Sequence, residues 1–180
     1  PLPAGLISSV GMAAVDDMSF EELVEILAAF EQENEPSNVD RAIHRTTVER
    51  RLMSLLSAGA AQRDLERRAH IRVPGDVKAR IHRDHEAINA TVKDLAEGGV
   101  RLVSAWGPAI GATIDLELLL KQQLGTHSPR AQAIVTWVQP LRDDGYEFGA
   151  AFLAHDDAHR RRMRRVVVEL LRRIPQPGLH

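Results

Sequence analysis

Thr113-Ile114-Asp115-Leu116-Glu117-Leu118 alternates polar and apolar residues without a break. Successive side chains of an extended chain point to opposite faces, so this stretch reads as a strand with Ile114, Leu116 and Leu118 toward a core. The same period recurs on either side of it. Upstream stand Val77, Ala79 and Ile81, then Ile88, Ala90 and Val92, then Val100 and Leu102 behind a glycine pair. Downstream stand Ala131, Ala133, Val135 and Trp137, then Tyr146, Phe148, Ala150 and Phe152. Turn-forming residues separate the runs: Arg83-Asp84-His85, Gly98-Gly99, Gly107-Pro108, Gly125 to Pro129, and Asp143-Asp144-Gly145. Six short strands at a spacing of roughly 10 residues predict a small antiparallel barrel. Its expected core includes Ile81, Val92, Leu102, Leu116, Val135, Trp137, Tyr146, Phe148 and Phe152.

Outside this block the period is helical. Ser19-Phe20-Glu21-Glu22 has the form of a capping box, in which the serine oxygen and a glutamate satisfy free amides at a helix start. Phe20, Leu23, Val24, Leu27 and Phe30 follow as one apolar stripe. Glu35-Pro36 interrupts it, and Ser37-Asn38-Val39-Asp40 opens a second helix that ends near Gly59. Val39, Ile43, Leu52, Leu55 and Leu56 are expected to be its buried face. After Phe152, Asp156 or Asp157 caps a last helix that buries Met163, Val166, Val167, Leu170 and Leu171 and stops before Pro175. The reading is an all-β core with flanking helices, in the α+β class. It comprises an N-terminal helical region (1–60), an arginine-rich lead-in (61–75), a six-stranded antiparallel β-barrel (76–155), and a C-terminal helix and tail (156–180). Two short helices bury too little area to stand alone. Their stripes need a cover, from the last helix, a partner or a second copy, and a homodimer through these helices is the expectation.

The chain of 180 residues is 44% hydrophobic and 27% charged, which is the composition of a folded soluble domain. It has no cysteine, so disulfides, thiolate metal sites and cysteine nucleophiles are excluded. No apolar run approaches the roughly 20 residues of a membrane helix, and no signal peptide opens the chain, so a cytoplasmic location is expected. Pro1 is not an initiator, and Met12 and Met18 are candidate starts. The formal charge of −2 hides an uneven distribution. Residues 1–60 carry 10 acids against 4 bases, whereas residues 156–180 carry 7 bases against 3 acids. Arginine outnumbers lysine 20 to 3, which favours forked recognition of phosphate and guanine wherever arginines cluster.

Two stretches carry chemistry. Glu66-Arg67-Arg68-Ala69-His70-Ile71-Arg72-Val73-Pro74 leads into the first strand, and Asp94-Leu95-Ala96-Glu97-Gly98-Gly99 joins the second to the third. An arginine fork grips phosphate with two hydrogen bonds, reads the O6 and N7 edge of guanine, and lies over a base face. A carboxylate accepts from guanine N1 and N2, and paired glycines permit close backbone approach. Taken without context, the arginines also suit a solvated linker, Asp94 a turn and His70 a spacer.

In order and at this distance, the two stretches resemble the PilZ domain, the bacterial receptor module for cyclic di-GMP. The family's signatures are RxxxR ahead of the barrel and (D/N)xSxxG on it. Arg68 and Arg72 match the first, with Arg67 as an adjacent extra arginine, and Asp94 and Gly99 match the second. Ala96 stands where the family has serine. The resemblance covers roughly residues 66 to 155, including Gly111, Trp137 and the stretch from Gly149 to Phe152; none is found for residues 1–60. It implies a PilZ-type barrel with cyclic di-GMP as ligand, bound by Arg67, Arg68, Arg72, Asp94, Ala96, Gly98 and Gly99. It also implies a non-catalytic effector that rearranges its helical region and its contact with a protein partner. Loss of the serine hydroxyl removes one hydrogen bond of about 0.5–1.5 kcal/mol, which predicts binding about tenfold weaker.

Other chemistries rank lower. His82 with His85, and His155 with His159, have metal-like spacing and aspartates nearby, but the sequence places no third strong ligand, so no metal is expected. Neither a phosphate loop, a serine triad nor a paired-carboxylate signature is present, so no catalytic residue is assigned. Arg160, Arg161, Arg162, Arg164 and Arg165 form the densest basic run, suited to nucleic acid, an acidic membrane or simply solvent. No aromatic residue interleaves with it, so nucleic acid ranks behind cyclic di-GMP. The alternatives are therefore a PilZ-fold adaptor that does not bind nucleotide and a DNA-binding regulator using the last helix.

Overall fold

A computed structural model describes residues 12–32, 39–56, 71–83, 86–120, 128–142, 145–153 and 156–174. All six alternating stretches form strands: β1 (Val73–Arg83), β2 (Glu86–Ala96), β3 (Gly99–Ser104), β4 (Thr113–Leu119), β5 (Arg130–Pro140) and β6 (Tyr146–Phe152). They close into an antiparallel barrel in the order β1-β2-β3-β6-β5-β4, with β4 pairing back onto β1. Closure leaves no free sheet edge. Three helices flank the strands in sequence: α1 (Phe20–Gln32), α2 (Val39–Leu56) and α3 (Asp157–Leu171), with a short 3-10 helix at Met12–Asp17. The chain divides into two compact units, Arg72–Val166 and the combination of Pro1–Ile71 with Val167–His180.

In the barrel unit, alternation delivers the expected interior. Ile81, Val92, Leu102, Leu116, Val135 and Phe148 are at most 1% exposed, and Phe152 is buried. Trp137 and Tyr146 depart from that expectation: both are outside, 38% and 37% exposed. For Trp137 the cause is a bulge between Val135 and Trp137 in the β5–β6 ladder. One extra residue flips every later side chain, so Ala131, Ala133 and Val135 point inward while Thr136 and Trp137 both point out. Tyr146 keeps inward parity but begins its strand at the barrel rim. Its ring lies against Gly107, where a Cβ would come within 2.6 Å of the ring carbons.

Within the helical unit, the capping box forms as read. The Ser19 amide donates to Glu22 Oε2 at 2.8 Å, and the Glu22 amide donates to Ser19 Oγ at 3.3 Å. The Ser19 amide and hydroxyl both donate to Glu22 Oε2, which holds the Glu22 carboxyl below its ordinary value. Phe20, Leu23, Val24, Leu27 and Phe30 are all buried within the single chain, as are Val167, Val168, Leu170 and Leu171 of the same unit.

The face of α2 is a correction. His44, Val48, Leu52 and Met53 are buried, whereas Val39 and Ile43 are 73% and 46% exposed and Leu55 and Leu56 half-buried. His44, Val48 and Leu52 repeat every four residues and so share one side of the helix. That side meets α1, where the His44 ring packs edge-on to Phe30 at 5.7 Å and Arg45 pairs with Glu31 at 2.9 Å.

Candidate functional site on the outer barrel face

Irregularities in three ladders define one region of the barrel surface. The β1–β2 ladder shifts between Pro74 and Val77, the β2–β3 ladder between Val92 and Asp94, and the β5–β6 ladder between Val135 and Trp137. Bulges re-aim side chains. In β2, Val92 and Leu95 both point inward, so Lys93 and Asp94 are turned out together. Register then aligns one row across five strands: Pro74 opposite Asp94, Asp94 opposite Arg101, Arg101 opposite Gly149, and Gly149 opposite Trp137.

Chemically the row runs from carboxylate to guanidinium to a glycine to an indole. Arg101 Nε donates to Asp94 Oδ2 at 2.5 Å, and Arg101 Nη1 donates to Glu147 Oε1 at 3.1 Å. A carboxylate accepts at both oxygens, so this one donor orients Asp94 without exhausting it. Trp137 lies over Gly149, where any Cβ would overlap the indole; the glycine lets the ring lie down on the sheet. Gly99 serves a similar close approach, because a Cβ there would stand 2.6 Å from the Ala150 carbonyl oxygen of β6.

The sequence-derived site residues divide by where they fall. Arg67 and Arg68 lie outside the described residues. Arg72 is exposed and immediately precedes Val73, the ladder partner of Leu95, which brings it to the Ala96 end of the second motif. Asp94 is half-buried on the row described above. Ala96 is 8% exposed and pairs with Gly99 across the turn, while Gly98 is exposed and its carbonyl accepts from the Phe152 amide at 3.0 Å. Glu97, between them, is held by Arg164 of α3 at 3.0 Å.

Two residues of the row, Arg101 and Trp137, were not among the site residues assigned from the sequence, which placed Trp137 in the core. Arg101 was accessible, since a two-residue turn pairs Ala96 with Gly99, and counting back along both strands puts Arg101 opposite Asp94. Trp137 was not, because nothing in Val135-Thr136-Trp137 announces a bulge.

Of the histidines with metal-like spacing, His85 and His155 lie outside the described residues. Among the described residues, no group of three or more metal-ligating side chains assembles. His82 instead pairs with Glu117 at 2.8 Å, and this contact, with Arg130 and Arg80 near, holds the Glu117 carboxyl below its ordinary value. No described helix is long and apolar enough to cross a membrane.

Comparison with solved structures finds similar chains at low identity. The PilZ domain of YcgR from Escherichia coli with c-di-GMP is 14% identical over 59% of this chain and 92% of that one, with a TM-score of 0.49. The Bacillus subtilis inhibitor of motility MotI is 16% identical over 60% of this chain and 53% of that one, at 0.48. The K. pneumonia MrkH–c-di-GMP complex is 20% identical over 58% and 52%, at 0.47. This chain thus spans about half the length of MotI and MrkH. No curated protein matches it. The PilZ domain, however, matches residues 66–169, more than half of the chain and inclusive of both motifs and the whole barrel. By that match the chain belongs to the PilZ domain family.

Proposed function

We propose that this protein is a non-catalytic, cytoplasmic receptor for cyclic di-GMP. The observation that carries the reading is the outer row from Asp94 to Trp137, presented by bulged strands beside Arg72 on a PilZ-family chain. Arg67, Arg68 and Arg72 would supply forked donors to the two phosphates and to a guanine edge. Asp94, steadied by Arg101, accepts from guanine N1 and N2. Trp137 offers an exposed indole face for the second base, three strand spacings or about 14 Å from Asp94. Gly98 and Gly99 keep the backbone near the ligand free of side chains. Segments 1–60, 61–75, 76–155 and 156–180 then act as output region, arginine lead-in, receptor barrel and closing helix. Binding fixes the lead-in on the barrel and alters how the helical region meets a partner protein.

Calorimetric titration of the full chain with cyclic di-GMP tests this. The parent should give a saturable isotherm, and Arg68→Ala or Arg72→Ala should weaken it by ~10–100-fold through loss of a charge-assisted hydrogen bond, with unchanged circular dichroism. Equal affinity in parent and both variants would refute the site.

Ala96 favours a second reading, a nucleotide-independent adaptor, because a buried methyl stands where the family has a hydroxyl. A flat isotherm from the folded parent establishes it. For self-association, Val39 and Ile43 are the large apolar side chains left exposed on the N-terminal helices. Sedimentation of the full chain, parent against Val39→Glu/Ile43→Glu, reports whether they form a homodimer.

A further inference from the structure

The arginines of the last helix and of the turn after it are not equivalent. Four of them are engaged: Arg160 with Asp157 at 2.6 Å, Arg164 with Glu97 at 3.0 Å, Arg172 with Glu25 at 2.9 Å and Arg173 with Glu169 at 3.3 Å. Arg161, Arg162 and Arg165 are exposed and form no ion pair among the described residues. These three line one open groove of about 640 Å³ in the barrel unit. Ser128 and Pro129, just ahead of β5, and Ala158 and Val166 of α3 complete its described lining. Among the described residues, no carboxylate lines it.

We infer that this groove binds the phosphate backbone of double-stranded nucleic acid, independently of cyclic di-GMP. Positions 161 and 165 are one helical turn apart on one face, with Cβ atoms about 5–6 Å from each other, and 162 lies beside them. Three forked cations outside any ion pair among the described residues, with Asp157 acting on Arg161 only through its longer-range field, match a run of phosphates, each of which accepts two parallel hydrogen bonds. Ser128 adds a hydroxyl to the lining. Among the described residues the lining contains no aromatic side chain, so it has no platform for stacking unpaired bases and recognises backbone only. Nor does it suit a lipid surface. A membrane-bound helix sets large apolar side chains beside its basic ones, whereas Met163, Val166, Val167 and Leu170 of α3 are buried.

Fluorescence anisotropy of the full chain with a labelled 20-bp duplex of arbitrary sequence tests the inference. Three neutralised phosphates predict a slope of about −2.7 in log affinity against log salt, or ~40-fold weaker binding at 200 mM than at 50 mM. Arg165→Gln should flatten the slope by about one, and the triple change Arg161→Gln/Arg162→Gln/Arg165→Gln should bring binding to baseline. All three positions are exposed, so helix content and cyclic di-GMP affinity should not move in these variants. Absence of duplex binding at low salt would overturn the inference, as would a triple variant with the parent's slope. Tighter binding to single-stranded oligothymidylate, or capture by phosphatidylserine vesicles without duplex binding, would overturn it as well.

Discussion

The barrel wears two unlike outer faces. On the β1–β4–β5 side the ladders are straight, and register sets Arg80 opposite Glu117, His82 opposite Asp115 and Glu117 opposite Arg130. Glu117 takes His82 at 2.8 Å and Arg130 at 3.6 Å, so this carboxylate finds its counter-charges on the same face. On the β2–β3–β6–β5 side, bulges in β2 and β5 turn Asp94 and Trp137 outward across a glycine. Regular pairing produces a self-neutralising surface, because opposite-charge neighbours meet at fixed spacing. Bulging turns polar and aromatic groups outward together, which is what a ligand requires.

The largest expected effect comes from removing the indole. Trp137→Ala should weaken cyclic di-GMP binding by about 1–3 kcal/mol, the worth of a base–aromatic stack, in a variant whose circular dichroism matches the parent's. The matched control, Arg130→Ala on the straight face, should leave affinity unchanged. Equal losses from both would erase the distinction between the faces.

Ala96→Ser sharpens the comparison at intermediate size. A hydroxyl restored at this buried position should tighten binding up to about tenfold if the ligand accepts it. With ligand absent, the same hydroxyl lacks an assigned partner, so the free protein should lose on the order of 1 kcal/mol of stability. Titration and denaturant melts of the same preparation separate the two; tighter binding must appear for Ala96 to border the ligand.

The smallest effect belongs to the straight face. Glu117 is held below its ordinary pKa of 4.5, chiefly by the His82 hydrogen bond. Its folded pKa lies under its unfolded one, so its stabilisation is complete above the unfolded value and disappears as pH falls through the folded value. Glu117→Gln should cost a few tenths of a kcal/mol near neutrality, with the gap to the parent closing below about pH 4. A gap that stays constant with pH would assign the contact to shape rather than charge.

Much of this molecule is legible residue by residue. The six strands follow from alternation in β4 and its neighbours, the start of α1 from Ser19 and Glu22, and its buried face from a single stripe. These are short-range properties, settled by which way successive side chains point and which amides lie within reach. The spacing of Arg68, Arg72, Asp94 and Gly99 is likewise a fact of sequence, and with the turn at Glu97-Gly98 it leads on to Arg101. What only the tertiary structure decided is which side of the wall some residues occupy. Trp137 continues the period of Ala131, Ala133 and Val135, yet stands outside, because pairing with β6 accommodates one extra residue at Thr136. In α2, Val39-Ile43 and Val48-Leu52 are both plausible apolar faces; packing against Phe30 and Glu31 of α1 selected the second. A bulge and a helix rotation depend on the partner element, and the partner is absent from any local window of the chain.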